Sequence, residues 1–211
     1  MLDVILLILS VWFTLFIILD PLLSVTMFIN LTSGLAKKEI IKQALIATAV
    51  AGALMLIFLL FNNILFDLLG IELASFRIAG GIILFILGLQ IVLGLEIGGS
   101  SAGHKSLADP ARRGKKAMAG VIIGTPIMCG PGAITTVMIL GAEHGLWITL
   151  AAIVLALLCI WLILVFSTYI KKFLGETVLV ILSKIFGLLA CAIAVHSIWT
   201  GILGLIELSG I

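Results

Sequence analysis

Two short motifs place free backbone groups and a carboxylate inside long apolar stretches of this chain. Asp20-Pro21 interrupts the apolar stretch 4–31, and a Cys-Gly-Pro-Gly motif at 129–132 interrupts the stretch 118–142. Proline removes a backbone donor and clashes with the preceding helical turn, and glycine loosens the chain. Each stretch is therefore predicted to be a helix that breaks in its interior and leaves backbone groups free to bind a solute or an ion.

Asp20 is the residue best suited to ionic chemistry. Asp-Pro is a favoured helix start, with aspartate as the N-cap and proline at the first helical position. The half-helix that follows would direct free N–H groups and a partial positive charge inward, and the half-helix after Gly130 would do so from the opposite direction. Two such N-termini suit a carboxylate, while Asp20 suits an ammonium group or a cation. A zwitterion fits this pattern, although Asp20 could also be no more than a helix cap.

The predicted substrate site lies around these two breaks. It comprises Asp20, Pro21, Ser24, Thr26, Gly130, Pro131, Gly132, Thr135 and Thr136. The hydroxyl groups could instead form ordinary hydrogen bonds between helices. His196 is predicted to relay a proton together with Asp20, or alternatively to bond a carbonyl of a neighbouring helix. Arg77 is predicted to form a local ion pair with Glu72 or Asp67, or alternatively to act in gating, and Gly80-Gly81 to allow close helix packing.

Six apolar stretches are long enough to cross a bilayer, which takes about 20 residues. Hydrophobic residues make up 63% of the chain and charged residues 10%, against about 45–50% and 25% in soluble domains. Eleven of the 12 Lys and Arg residues fall in three regions predicted to be loops, 37–42, 105–116 and 171–184. Cytoplasmic loops collect basic residues, so both termini are predicted to lie outside the cell (plasma) membrane. The predicted spans are 4–31, 43–66, 73–95, 118–142, 146–169 and 178–206.

The sequence predicts an all-α membrane protein with two inverted three-helix repeats. Spans 1 and 4, which contain the breaks, each open a group of three spans. Three is an odd number, so the second group enters the membrane with the opposite orientation. Residues 1–95 form the first repeat, 96–117 a basic cytoplasmic linker and 118–211 the second repeat. Interrupted helices at matching positions of two inverted halves are typical of a transporter's substrate site.

The sequence contains no spacing typical of a metal site, no phosphate-binding loop and no room for a soluble catalytic domain. It therefore predicts no enzymatic activity, no metal and no cofactor. Membrane orientation already explains the basic residues, so nucleic acid is not a predicted partner. The predicted partners are the lipid bilayer, a small solute and a coupling ion, and a homo-oligomer stays open.

Three segments resemble the MarC-type integral membrane proteins, also described as a six-span neutral amino acid transporter family. They are ILDPLLSVTMF around Asp20, FRIAGGIILF from Phe76 and TPIMCGPGAITTVMIL from Thr125. The resemblance covers essentially the whole chain and implies transport of small neutral amino acids such as glycine and alanine, coupled to H⁺ or Na⁺. Where the family usually has Gly-Asn and a second proline after Asp-Pro, this chain has Leu23-Ser24 and Thr26, so its substrate can differ.

The predicted function is secondary transport by alternating access. Asp20 would bind the substrate amine or carry the coupling proton, and the backbone around Gly130-Pro131-Gly132 would hold the carboxylate. An exporter of other small metabolites or drugs would share this fold. An intramembrane enzyme would need two polar groups at one depth, and Asp20 with His196 is the pair available. A non-transport structural subunit fits less well, because unwound backbone in a membrane is costly.

Overall fold

The protein is all-helical over residues 2–94 and 123–209, which are the residues that its structure, a computed structural model, describes. The predicted linker 96–117 and the start of the predicted fourth span lie outside these residues. The elements in chain order are α1 (Leu2–Ile18), α2 (Pro21–Thr32), α3 (Lys37–Leu69), α4 (Leu73–Leu93), a π-helical turn (Ile123–Met128), α5 (Pro131–His144), α6 (Leu146–Val165) and α7 (Ser167–Ser209).

Four helical stretches of the described residues are long and apolar enough to cross a membrane. They are Lys37–Asn62, Leu73–Leu93, Leu146–Val165 and Thr177–Leu208, and the bent pair α1–α2 makes a fifth if it is one span. Large apolar side chains also cover the outside of the helices, as a hydrocarbon environment requires. The predicted all-α membrane fold is therefore confirmed at this level.

Two regions predicted to be basic loops are helical instead. α3 already begins at Lys37, and the chain around Lys171 forms the first turns of α7. Gly175 interrupts α7, with φ 76° and ψ 164°, so a short helix that carries Lys171 and Lys172 precedes the long helix of spanning length. Lysine is a good helix former whose long stem can reach water from the end of a span. α3 consequently extends past its apolar stretch, so the predicted loop at 37–42 is wrong. The predicted loop at 171–184 is wrong in its bounds, because the chain is helical there on both sides of a break at Gly175.

Both predicted helix breaks are present. The axes of α1 and α2 differ by 44° at residues 19–20, and the second break separates the π-helical turn from α5 at Cys129 and Gly130. α1 packs against α5, whereas α2 packs against the π-helical turn. The two broken segments therefore run antiparallel and meet in one buried core, to which Leu19 and Cys129 both belong.

The most extensive helix contact joins α4 and α7 along a line of small residues, here called the α4–α7 seam. Its members recur every seventh position and are Ala74, Gly81 and Gly88 of α4 and Gly187, Ala194 and Gly201 of α7. A Cβ atom at Gly81 would lie 2.9 Å from the carbonyl oxygen of Ala194, and one at Gly88 would lie 2.7 Å from that of Gly187. Small side chains thus let two antiparallel backbones touch, which confirms the predicted packing role of the glycine pair in α4.

Arg77 forms an ion pair, but not with the predicted partner. Its Nη2 lies 2.5 Å from Oε1 of Glu143, at the end of α5, and the side chains are 20% and 30% exposed. The ion pair links the first turns of α4 to the last turn of α5. Glu72, at the N-cap of α4, lies only five residues before Arg77, yet α5 packs beside α4 and brings the other carboxylate closer.

We expect Arg77 and Glu143 to show a coupling free energy of about 1 kcal/mol, because both side chains retain some solvent contact. Thermal unfolding of the purified protein, of Arg77→Gln, of Glu143→Gln and of the double variant gives this value as a double-mutant cycle. The pair Glu72→Gln with Arg77→Gln is the matched control and should be additive. Coupling to Glu72 instead of Glu143 would contradict the observed pairing.

Candidate functional site

Asp20 lies at the break between α1 and α2 and is 4% exposed. It is the N-cap of α2, and its Oδ1 atom accepts a hydrogen bond from the backbone N–H of Leu23 at 3.1 Å. Pro21 follows at the first helical position. The predicted cap is therefore confirmed, and it places the carboxylate in the protein interior.

A second donor reaches the same carboxylate from a distant part of the chain. The hydroxyl of Ser183, on α7, donates to Oδ1 of Asp20 at 3.4 Å. The other carboxylate oxygen, Oδ2, is buried and has no hydrogen-bond partner of normal geometry among the described residues, although the backbone N–H of Leu22 also interacts with this carboxylate. Buried polar atoms are nearly always partnered, so this carboxylate oxygen is an exception that calls for a physical explanation.

The backbone at Asp20 is held in an unusual conformation. Its φ of 37° and ψ of 74° are left-handed, and it is the only non-glycine residue with positive φ in the described part of the chain. Aspartate and asparagine tolerate this region better than other residues, at a cost of about 1–2 kcal/mol. Such strain at a buried acid is common at binding sites.

The second break has a different chemistry. Gly130 is the N-cap of α5 without a side-chain hydrogen bond, and Pro131 occupies the first helical position. Before it, the backbone N–H of Cys129 donates to the carbonyl of Gly124 at 3.3 Å, which is π-helical spacing. Gly132 packs tightly under α4, because an added Cβ would lie 3.1 Å from the Leu87 side chain. The first N–H groups of α5 thus lack a side-chain cap but are crowded on one side.

The hydroxyl groups predicted to line the site bond mainly to their own helices. Thr26 donates to the carbonyl of Leu22 at 3.2 Å, and Thr135 and Thr136 donate to that of Gly132 at 3.0 and 2.8 Å. Ser24, which is fully buried, makes a longer contact of 3.5 Å to the carbonyl of Leu19 beside the break. Of these hydroxyl groups, Ser24 is the one whose bond reaches back across the break.

His196 does not lie beside Asp20. It is on α7, about 20 Å farther along the helix axis than Ser183 at 1.5 Å per residue, and its side chain is exposed. The predicted relay pair is thus not brought together. Ser183, which no sequence motif singles out, occupies the position next to Asp20 instead.

A separate cavity of about 310 Å³ contains none of the predicted site residues. It lies where α3 meets α5 and α6 and is lined by Leu59, Leu60, Asn62, Gly141, Ala142, Gly145 and Leu146. The Asn62 amide nitrogen donates to the carbonyl of Met138 at 3.1 Å, so it serves to hold α5 against α3. The Asp20 site therefore stands apart from this cavity.

Apolar helices of spanning length, a helix break and a buried acid at that break define a multi-pass integral membrane protein. A family model described as MarC family integral membrane protein matches residues 5–206. The chain belongs to this family.

Relatives of similar length match nearly the whole chain. A UPF0056 membrane protein of Aquifex aeolicus is 30% identical over 90% of this chain and 89% of its own. One of Methanocaldococcus jannaschii is 33% identical over 90% and 93%, and YhcE of Escherichia coli is 28% identical over 90% and 89%. No solved structure gives a significant match.

Proposed function

We propose that this protein is an ion-coupled secondary transporter of small neutral amino acids, of the size of glycine or alanine, that works by alternating access. The observation that carries the proposal is the buried carboxylate of Asp20, which lies at a helix break with one oxygen unpartnered. An acid in such a place is costly and is by default functional. It can receive the amine of a zwitterion or a coupling ion.

The depth of the two breaks supports a site in the membrane interior. Asp20 lies 12 residues, about 18 Å, before the C-terminal end of α2. Gly130 lies 14 residues, about 21 Å, before the C-terminal end of α5. Both distances fall well inside a hydrocarbon core about 30 Å thick. The uncapped N–H groups at the start of α5 are suited to the substrate carboxylate.

The α4–α7 seam supports two inverted three-span halves within six spans, residues 1–95 and 118–211 joined by the basic linker. A shift of 113 residues carries Ala74, Gly81 and Gly88 onto Gly187, Ala194 and Gly201. The same relation exchanges positions 81 and 194, which are in contact, so a two-fold axis relating the halves would pass through the contact of Gly81 with Ala194. The two breaks are related by nearly the same shift, since Pro21 and Pro131 are 110 residues apart.

In this arrangement the lysine-rich helix ends face the cytoplasm and both termini face outward across the plasma membrane. Rocking of one helix group against another about the fixed breaks would expose the site to each side in turn. No enzymatic step, cofactor or nucleic acid enters the proposal. Whether the direction is uptake or export is set by the gradient and is an outcome of the experiment.

The test is transport of labelled glycine and alanine in proteoliposomes of the purified protein, with proton, sodium or no imposed gradient. We expect accumulation that requires a gradient and falls at least tenfold in Asp20→Asn. Asparagine tolerates the left-handed backbone and can still accept from Leu23, so this variant removes charge and little else. Asp3→Asn, the same change at an exposed site of the same span, is the matched control.

Two results would overturn the proposal. Full transport by Asp20→Asn would remove the carboxylate from the mechanism. No transport of either amino acid under any gradient, by folded and correctly inserted protein, would exclude this substrate class. A growth assay with toxic analogues then separates directions, since an importer sensitises cells and an exporter protects them.

A further inference from the structure

The carboxylate of Asp20 has no positive partner among the residues that the structure describes. Arg77 pairs with Glu143, and His144 also contacts that carboxylate, so neither compensates Asp20. Lys184 follows Ser183 in sequence, but its side chain is exposed. An unpaired buried carboxylate is strongly unfavourable, so either protonation or a ligand that carries positive charge must compensate it.

A proton or a bound cation could meet this need. Protonation would place a hydrogen on the carboxylate, whereas a cation would use the lone pairs of Oδ2, to which no described residue donates a hydrogen bond of normal geometry. These lone pairs make Oδ2 available as a ligand for a metal cation.

The neighbouring donors are oxygens whose lone pairs remain available. The hydroxyl of Ser183 uses its hydrogen toward Oδ1 of Asp20, and that of Ser24 uses its hydrogen toward the carbonyl of Leu19. Both serines are buried. Oxygen ligands suit hard cations. With a single carboxylate and no cluster of three or more His, Cys, Asp or Glu in the described ranges, the set suits a monovalent ion.

We propose that Asp20, Ser24 and Ser183 form a sodium site between the first helix break and α7. The inference rests on the proposed function only in that the bound ion would be the coupling ion. Asp20 belongs to the break and Ser183 to α7, so the ion would tie the two elements together. Sodium would then favour the conformation in which α7 closes on the break, which is how binding would be linked to alternating access.

The test measures sodium binding without transport. Thermal unfolding of the full chain in detergent is followed as NaCl replaces choline chloride at constant ionic strength, with KCl as a second series. We expect the midpoint of unfolding to rise by several degrees and to saturate with sodium, but not with potassium. Asp20→Asn should abolish the sodium-dependent rise, and Ser183→Ala should shift its half-saturation at least tenfold higher.

Ser197→Ala, the same substitution at a half-buried position of α7 away from the break, should leave the sodium response unchanged. If Ser183→Ala does not fold, binding of radiolabelled sodium to the wild-type chain, with competition by unlabelled sodium and potassium, decides the point. Absence of a sodium-specific response, or an equal response in Asp20→Asn, would overturn the site. Proton-driven uptake without a sodium response would support the transporter proposal and refute the sodium site. Sodium binding without any transport would support the sodium site and refute the transporter proposal.

Discussion

The Asp20→Val protein is expected to be about 2 kcal/mol less stable than the Asp20→Gly protein. At most positions in folded chains the order is the opposite, because glycine loses more backbone entropy on folding. Both substitutions remove the carboxylate and its bonds to Leu23 and Ser183. They differ in the backbone, because Asp20 has φ 37°. Glycine adopts a left-handed conformation freely, whereas a β-branched residue there is a genuine outlier that costs about 1–2 kcal/mol or more.

Asp20→Asn should be the most stable of the three, because asparagine tolerates the backbone and keeps an acceptor for both donors. The measurement is the fraction of monodisperse protein left after heating in detergent. Glu72 provides the matched control, since it is an N-cap with φ −74° and no side-chain capping bond. Valine and glycine should differ little there. Equal stability of Asp20→Val and Asp20→Gly would show that the left-handed backbone relaxes at no cost.

The sequence predicts Asp20 as a buried cap but not its backbone conformation. Residues before proline are normally extended, because the proline ring clashes with the α region. At this position the chain must also turn through 44° between α1 and α2, and the hydrogen bonds of the carboxylate help to hold the left-handed turn. Tertiary packing decides that conformation, and no local motif encodes it.

Long-range contacts explain the other differences. Ser183 donates to Asp20 across 163 residues, and a single serine in an apolar helix carries no signal of its partner. Arg77 was expected to pair nearby, but the packing of α5 on α4 supplies Glu143. His196 was selected for its type and position in a span, yet periodicity alone did not tell which face of α7 is buried. The composition and basic residues predicted spans well because bilayer thickness and backbone satisfaction leave few alternatives.

Leucine at Gly81 or Gly88 is expected to prevent formation of the α4–α7 seam and to leave little folded protein. A Cβ atom at Gly81 would lie 2.7 Å from Cγ1 of Ile198 and 2.9 Å from the carbonyl oxygen of Ala194. One at Gly88 would lie 2.7 Å from both Sγ of Cys191 and the carbonyl oxygen of Gly187, so backbone as well as side chains of α7 would have to move. Overpacking a tight interface costs about 1–3 kcal/mol, and more where backbone must move. Helices in lipid associate largely through such close packing, so few other contacts can replace it.

Ala79→Leu and Ala192→Leu are the matched controls, because both add a leucine to the same helices at exposed positions. They should be recovered at the wild-type level in detergent, with an unchanged midpoint of thermal unfolding. A stable Gly81→Leu protein would require α4 and α7 to lie farther apart. Because the seam runs beside Ile17, Ile18 and Leu84 next to the first break, its separation would also move Ser183 away from Asp20. If the Gly81→Leu protein folds, it is therefore expected to lose the sodium response. If it keeps both its stability and the sodium response, the α4–α7 seam does not position the sodium site.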